Sequence, residues 1–208
     1  MKPFKFEPYL KETIWGGKQI AEYKGIKACS ENIGESWEIT GVKGHESIVA
    51  EGGTSCEDKG LTISELIQKY REKLLGEKVY ERYGTDFPLL IKFIDSKQDL
   101  SVQVHPDDKL AKDAIDYNVY TDCRSTYDKD AQIAELVNCK YFDVRKLTID
   151  KKAIIDFKIQ SFVIAICLKG TAEINGTCIR EGETILVPAD NNILNITGTA
   201  ELLTAFVP

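Results

Sequence analysis

Only two histidines occur in the 208 residues, His45 and His105, and the six cysteines stand singly with no CxxC pair. That spacing excludes a clustered Cys/His zinc site, so Cys29, Cys56, Cys123, Cys139, Cys167 and Cys178 read as small buried hydrophobes or idle thiols. No stretch approaches the ~20 apolar residues of a membrane span. No run of Lys or Arg is long enough to track phosphates, and the formal charge is −6, from 27 basic and 33 acidic residues. Nucleic acid and anionic membrane surfaces are therefore not expected as partners. The opening text, MKPFKFEPYLKETIWGG, carries charges where a secretory signal needs its apolar segment, and a cytoplasmic location is expected. Also missing are GxGxxG after a strand, a Walker-type GxxxxGK[ST], a GxSxG elbow and HExxH, which removes the usual nucleotide, hydrolase and zinc-protease signatures.

What remains is an ordinary globular composition, 43% apolar and 29% charged, enough for one large domain or two small ones. Glycines punctuate residues 1–60, which suits strands and turns. One helix is expected over 62–75, with Thr62 and Glu65 as a capping box, Ile63, Leu66, Ile67, Tyr70 and Leu74 at helical spacing, and Gly76 as the stop. Residues 34–38 read as an amphipathic strand with Trp37 buried. Glu35 and Trp37 share one face and Ser36 and Glu38 the other, so the two acids do not pair.

The run Leu89-Leu90-Ile91-Lys92-Phe93-Ile94 is apolar on both faces except at Lys92, as expected of a doubly buried strand. A lysine in that setting needs a reason. Next, Leu100, Val102 and Val104 alternate with Ser101, Gln103 and His105, so the three polar groups project from one strand face, roughly 6.5–7 Å apart. An imidazole and an amide oxygen there are candidate metal donors. The same alternation also describes the solvated face of an edge strand. His45 lies in a turn-like loop and reads as a surface residue.

Residues 111–135 read as a short helix and a linker. From 136 onward alternation returns, with strands expected at 141–149, 153–159, 161–168, 171–174, 177–180, 184–187, 193–196 and 200–206. Turns are expected at Lys169-Gly170, Asn175-Gly176, Glu181-Gly182 and 189–192, of which Asn175-Gly176 is the clearest hairpin signal. The fold class expected is mainly β, an antiparallel β-sandwich or barrel of jelly-roll type with one or two helices.

Four motifs then appear in order within residues 1–110. They are Phe6-Glu7-Pro8 with Lys11-Glu12 and Ile14-Trp15-Gly16-Gly17; Gly34-Glu35-Ser36-Trp37-Glu38-Ile39; Pro88-Leu89-Leu90-Ile91-Lys92; and Leu100-Ser101-Val102-Gln103-Val104-His105-Pro106. Together they resemble type I mannose-6-phosphate isomerase of the cupin superfamily. The resemblance implies a cupin-like form of that antiparallel β fold, and interconversion of mannose 6-phosphate and fructose 6-phosphate with one divalent metal, usually zinc. It implies Gln103 and His105 as metal ligands, and Lys92 and Ser101 as contacts to the substrate phosphate. Residues 1–110 then correspond to the N-terminal part of the catalytic cupin, 111–135 to a helix and linker, and 136–208 to a C-terminal cupin-like domain.

The family's GKTExWY-like, PAGxxHA-like, YRxYD-like and RELH-like segments are absent. The text passes from Pro106-Asp107-Asp108-Lys109-Leu110 directly into Ala111-Lys112. The chain thus resembles an isomerase lacking the second part of its catalytic cupin, including two metal ligands and the family's catalytic lysine and arginine. Weak or lost activity follows as the expectation, the shell on Gln103 and His105 needing water, Asp107 or a second subunit to complete it. The alternative is a non-catalytic cupin module binding a sugar phosphate or a partner protein. Shortening a barrel also exposes sheet edges through which copies can pair.

Overall fold

The computed structural model describes residues 1–27, 30–54, 56–100 and 132–208, with Cys56 by its backbone alone. Ser101, Gln103 and His105, the expected strand face and most of the expected 111–135 helix and linker lie outside the described residues. The strands are β1 (Lys2–Glu7), β2 (Tyr9–Gly17), β3 (Ile33–Ile39), β4 (Ile48–Gly53), β5 (Ile91–Ile94), β6 (Ile133–Asn138), β7 (Asp143–Ile155), β8 (Val163–Ile174), β9 (Thr177–Arg180), β10 (Thr184–Val187) and β11 (Leu194–Phe206). The helices are α1 (Gln19–Lys24), α2 (Ile63–Tyr70), α3 (Glu72–Leu75) and α4 (Glu77–Tyr83).

The mainly β, antiparallel cupin-like architecture is present. An eight-stranded sheet runs β4-β1-β10-β8-β11-β7-β6, with β9 pairing β8 beside β10, and a three-stranded sheet runs β2-β3-β5. Every pairing is antiparallel. The N-terminal strand β1 inserts between β4 and β10, so the first residues of the chain complete the sheet built by the last.

Alternation along β8 divides two cores. Val163, Ala165 and Cys167 point into one, with Leu147, Ile149, Ile185, Leu194, Ile196 and Leu202. Ile164 and Ile166 point into the other, where Phe4, Ile39, Leu66, Ile67, Leu74, Phe87, Phe162, Leu186 and Val207 meet. This second core draws on both ends of the sequence and is roofed by α2, α3 and α4. Each fully buried aliphatic or aromatic side chain contributes on the order of 1.5–3 kcal/mol.

The capping box at Thr62 and Glu65 forms in both directions. The single helix expected over 62–75 is divided at Arg71, whose backbone lies at φ 48°. There the Arg71 N–H closes α2 on Ile67 and its carbonyl opens α3 toward Leu74 and Leu75. The break redirects the apolar stripe, so that Leu74 and Leu75 also reach the core. With α1 and α4 this makes four short helices among the described residues, where the sequence suggested one or two.

At Asn175-Gly176 the expected hairpin forms, both residues at positive φ, 49° and 80°, as a type I′ turn requires. The break expected at Lys169-Gly170 does not occur: β8 continues through it, and β11 runs unbroken from 194 to 206. The two glycines here permit close approach instead of reversing the chain. A Cβ on Gly170 would meet the Thr199 carbonyl at 2.2 Å, and one on Gly198 the Thr171 carbonyl at 2.4 Å. Likewise β7 spans 143–155 as one strand, with Lys151 at φ 71°.

Candidate functional site

Register across the three-stranded sheet decides which side chains share a face. Tyr9 on β2 lies opposite Trp37 on β3, and Trp37 opposite Lys92 on β5. One step along, Lys11 lies opposite Glu35, and Glu35 opposite Ile94. Directly paired residues project to the same side, so one face carries the rows Tyr9–Trp37–Lys92 and Lys11–Glu35–Ile94. Tyr9 and Ile94 are exposed there and Lys11 and Lys92 are partly so, whereas Glu35 and Trp37 are buried beneath them.

Glu35 is the hub of this face. Its Oε2 accepts the Trp37 indole N–H at 2.5 Å and lies 3.2 Å from Lys92 Nζ and 3.9 Å from Lys11 Nζ. Lys11 Nζ also sits 5.3 Å from the centre of the Trp37 ring, a cation–π contact. His45 packs edge-on to Trp37 and against Tyr9, with ring centres 5.7 and 4.4 Å apart. Burial pushes the Glu35 carboxyl up, but the indole N–H, Lys92 and Lys11 outweigh it and hold the group below the ordinary carboxylate value.

The sign of the resulting pH dependence follows. A carboxyl whose folded pKa lies below its unfolded value stabilises the fold fully above about 4.5, and that contribution is lost as pH falls through the folded value. Denaturant titrations of the native chain and of Glu35→Gln between about pH 7 and pH 3 are expected to show a steeper acid loss in the native chain. Parallel curves would remove Glu35 as a source of that loss.

The opposite face is closed. Lys24 at the end of α1 reaches both Glu38 oxygens, at 2.9 and 2.8 Å, and the Gly182 carbonyl at 2.5 Å. Ser36 Oγ donates to Glu38 at 2.6 Å, and Lys24 and Tyr23 both pack on the Phe93 ring. Tyr23 in turn donates to the Leu168 carbonyl at 2.7 Å. The network ties the three-stranded sheet to the β9–β10 turn, beside a cleft of about 310 Å³ lined by Lys5, Pro8, Arg180 and Thr184 among others.

Of the expected site residues, Lys92 is described and lies on the open face; Ser101, Gln103 and His105 are outside the described residues. Lys92 is not in a doubly buried strand: β5 is half-buried, and β3, with all seven residues buried, fills that role. The reason is position, since β3 is the central strand. His45 is at the surface, as expected. The thiols divide as expected in the part described, Cys167 buried and pushed up to about 11 by desolvation, Cys178 exposed. Sequence reasoning missed Lys11, which belongs to the same face only because β2 pairs β3 at Lys11–Glu35. Alternation within Tyr9-Leu10-Lys11 was the available signal. The Lys24–Glu38 pair had none.

This order of motifs and this fold recur together in known proteins. A family model described as phosphomannose isomerase type I, catalytic domain, matches residues 3–142, two thirds of the chain. The chain belongs to the type I phosphomannose isomerase family. A second model, mannose-6-phosphate isomerase, cupin domain, matches residues 132–207.

Among curated relatives, the mannose-6-phosphate isomerase ManA of Bacillus subtilis is 41% identical over 110 residues, 53% of this chain and 32% of its own. The mannose-6-phosphate isomerase of Streptococcus mutans is 34% identical over 110 residues, again 53% and 32%. The matched stretch thus spans about a third of the length of these relatives. In solved structures, the fold resembles mannose 6-phosphate isomerase from Bacillus subtilis, TM-score 0.66 at 17% identity, covering 99% of both chains. It also resembles a variant of phosphomannose isomerase from Salmonella typhimurium, TM-score 0.77 at 12% identity, covering 100% of both.

Proposed function

We propose that this family member binds a hexose phosphate of the mannose 6-phosphate and fructose 6-phosphate class, with isomerase activity weak or lost. The observation that carries the reading is Lys92. Its ammonium stands on a solvent-reached face, aligned by the buried Glu35 carboxylate, beside the chain that leads into Ser101. An ammonium so held is a point charge suited to a phosphate. Phosphate capture there would fix the remote end of a sugar and orient its reacting carbons.

A divalent metal, zinc by resemblance, belongs to the same proposal through Gln103 and His105. Among the described residues, no three His, Cys, Asp or Glu groups come together as a metal site. The second histidine, His45, is stacked on Tyr9. Gln103 and His105 lie outside the described residues, so no step is derived through the metal. The family's catalytic lysine and arginine are absent from the sequence, so no residue is assigned to moving the proton between C1 and C2. Binding without efficient turnover is the consistent reading.

The division into 1–110, 111–135 and 136–208 is part of this proposal; the meeting of the two family models over 132–142 supports its second boundary. Pairing of copies is proposed through β4 and β6, the end strands of the larger sheet among the described residues. No helix among those residues is long and apolar enough to cross a membrane.

Two measurements test the reading. Calorimetry with mannose 6-phosphate in the absence of metal is expected to give heat that Lys92→Ala abolishes. A coupled isomerase assay with added zinc is expected to stay far below ordinary enzyme rates, which run from about 1 to 1000 per second. Turnover within that range would overturn the weak-or-lost activity, and no heat with or without zinc would overturn the binding.

A further inference from the structure

We infer that Lys11 is a second cation of the phosphate subsite, so that the open sheet face receives the phosphate dianion between two ammonium groups. The inference rests on the proposed role of Lys92 and adds a partner to it. Two ammonium groups, Lys92 and Lys11, converge on a single Glu35 oxygen, at 3.2 and 3.9 Å. One carboxylate cancels one of them, leaving a surplus positive charge on a face that solvent reaches.

The Glu35 oxygen is already occupied by the Trp37 indole N–H at 2.5 Å, and at 3.9 Å Lys11 lies beyond hydrogen-bond range of it. Among the described residues the Lys11 ammonium makes no hydrogen bond, so its three donors are available. Its side chain is 43% exposed against 29% for Lys92, which places the spare donors toward solvent. The Trp37 ring beneath restrains the ammonium, which limits the side-chain entropy lost on gripping an anion.

A lone lysine balanced by a carboxylate is electrically neutral and has little preference for a dianion. Two lysines sharing one carboxylate attract it, and the attraction is strongest for a phosphomonoester or inorganic phosphate carrying two charges. The uncharged portion of a sugar then extends away from the Lys11–Glu35–Lys92 group.

Titration calorimetry with inorganic phosphate and with mannose 6-phosphate, on the full chain and on Lys11→Met, Lys11→Arg and Lys92→Ala, tests this. Loss of one charge-assisted contact is expected to weaken both ligands about 10-fold or more in Lys11→Met. Lys11→Arg, which keeps the charge, is expected to stay within a few-fold of the native chain. Because Lys11 is half-exposed, its replacement leaves the fold intact, and equal thermal midpoints establish that. If Lys92→Ala abolishes binding while Lys11→Met leaves it unchanged, Lys11 has no part in the site and the proposed function stands. If the native chain binds neither ligand, or neither substitution alters binding, both are overturned.

Discussion

Replacing Lys24 with methionine is expected to cost about 3–5 kcal/mol of folding stability, because it strands Glu38 as a buried, uncompensated carboxylate. The side chains of Lys24 and Glu38 are 7% and 5% exposed, and the ammonium satisfies both carboxylate oxygens as well as the Gly182 carbonyl. Among the described residues only the Ser36 hydroxyl would remain as a partner of Glu38. Surface pairs are worth little, so the burial is what makes this one matter. The double variant Lys24→Met with Glu38→Leu is expected to recover much of the loss, since apolar replacement of a whole buried pair is often neutral. Urea unfolding of the native chain, the single and the double variant measures both terms. A single-variant loss below about 1 kcal/mol would show that water reaches the pair and that it does not seal the two sheets together.

Phe162→Ala is expected to lose a similar amount, about 3–5 kcal/mol, for a different reason. Phe162 is fully buried, its ring 5.3 Å from that of Phe87, in the core shared by Phe4, Leu66, Leu74, Leu186 and Val207. The cavity left behind would lie between the helical roof and the large sheet, and neither can collapse onto it without shifting the other. A single cooperative transition, displaced to lower urea, is the expected result. Two separated transitions, with only one displaced, would falsify a core common to both ends of the chain.

How far the sequence was legible varies with the range of the interaction. Thr62 and Glu65 are three residues apart and form the capping box that their types imply. Asn175-Gly176 turns the chain because both residues tolerate positive φ. Lys169-Gly170 also carries a turn signal and does not turn, because β11 runs beside it and uses the missing Cβ as space for Thr199. A local code cannot distinguish those two uses of glycine. Similarly, Leu89 to Ile94 looked doubly buried by composition, yet burial on both faces goes to whichever strand is central, and that is β3.

The candidate site divides in the same way. Lys92 was legible because a charge in an apolar run is costly without a purpose. The pairing of Glu35 with Trp37 on one strand face was legible from alternation, and the structure places the indole N–H on that carboxylate. Lys11 was not, since its place beside Glu35 depends on the register of β2 against β3, which includes a shift between Lys11 and Glu12. The sequence by itself determined the family, the mainly β class and the shared face of Glu35 and Trp37, because motifs and two-residue alternation are local properties. Tertiary structure alone decided that β1 completes the sheet of the C-terminal strands, that Lys24 meets Glu38, and that Lys11 joins Lys92 on one carboxylate. Each of those depends on bringing distant segments together, and the burial and pairing energies that select among such arrangements are not written in any one segment.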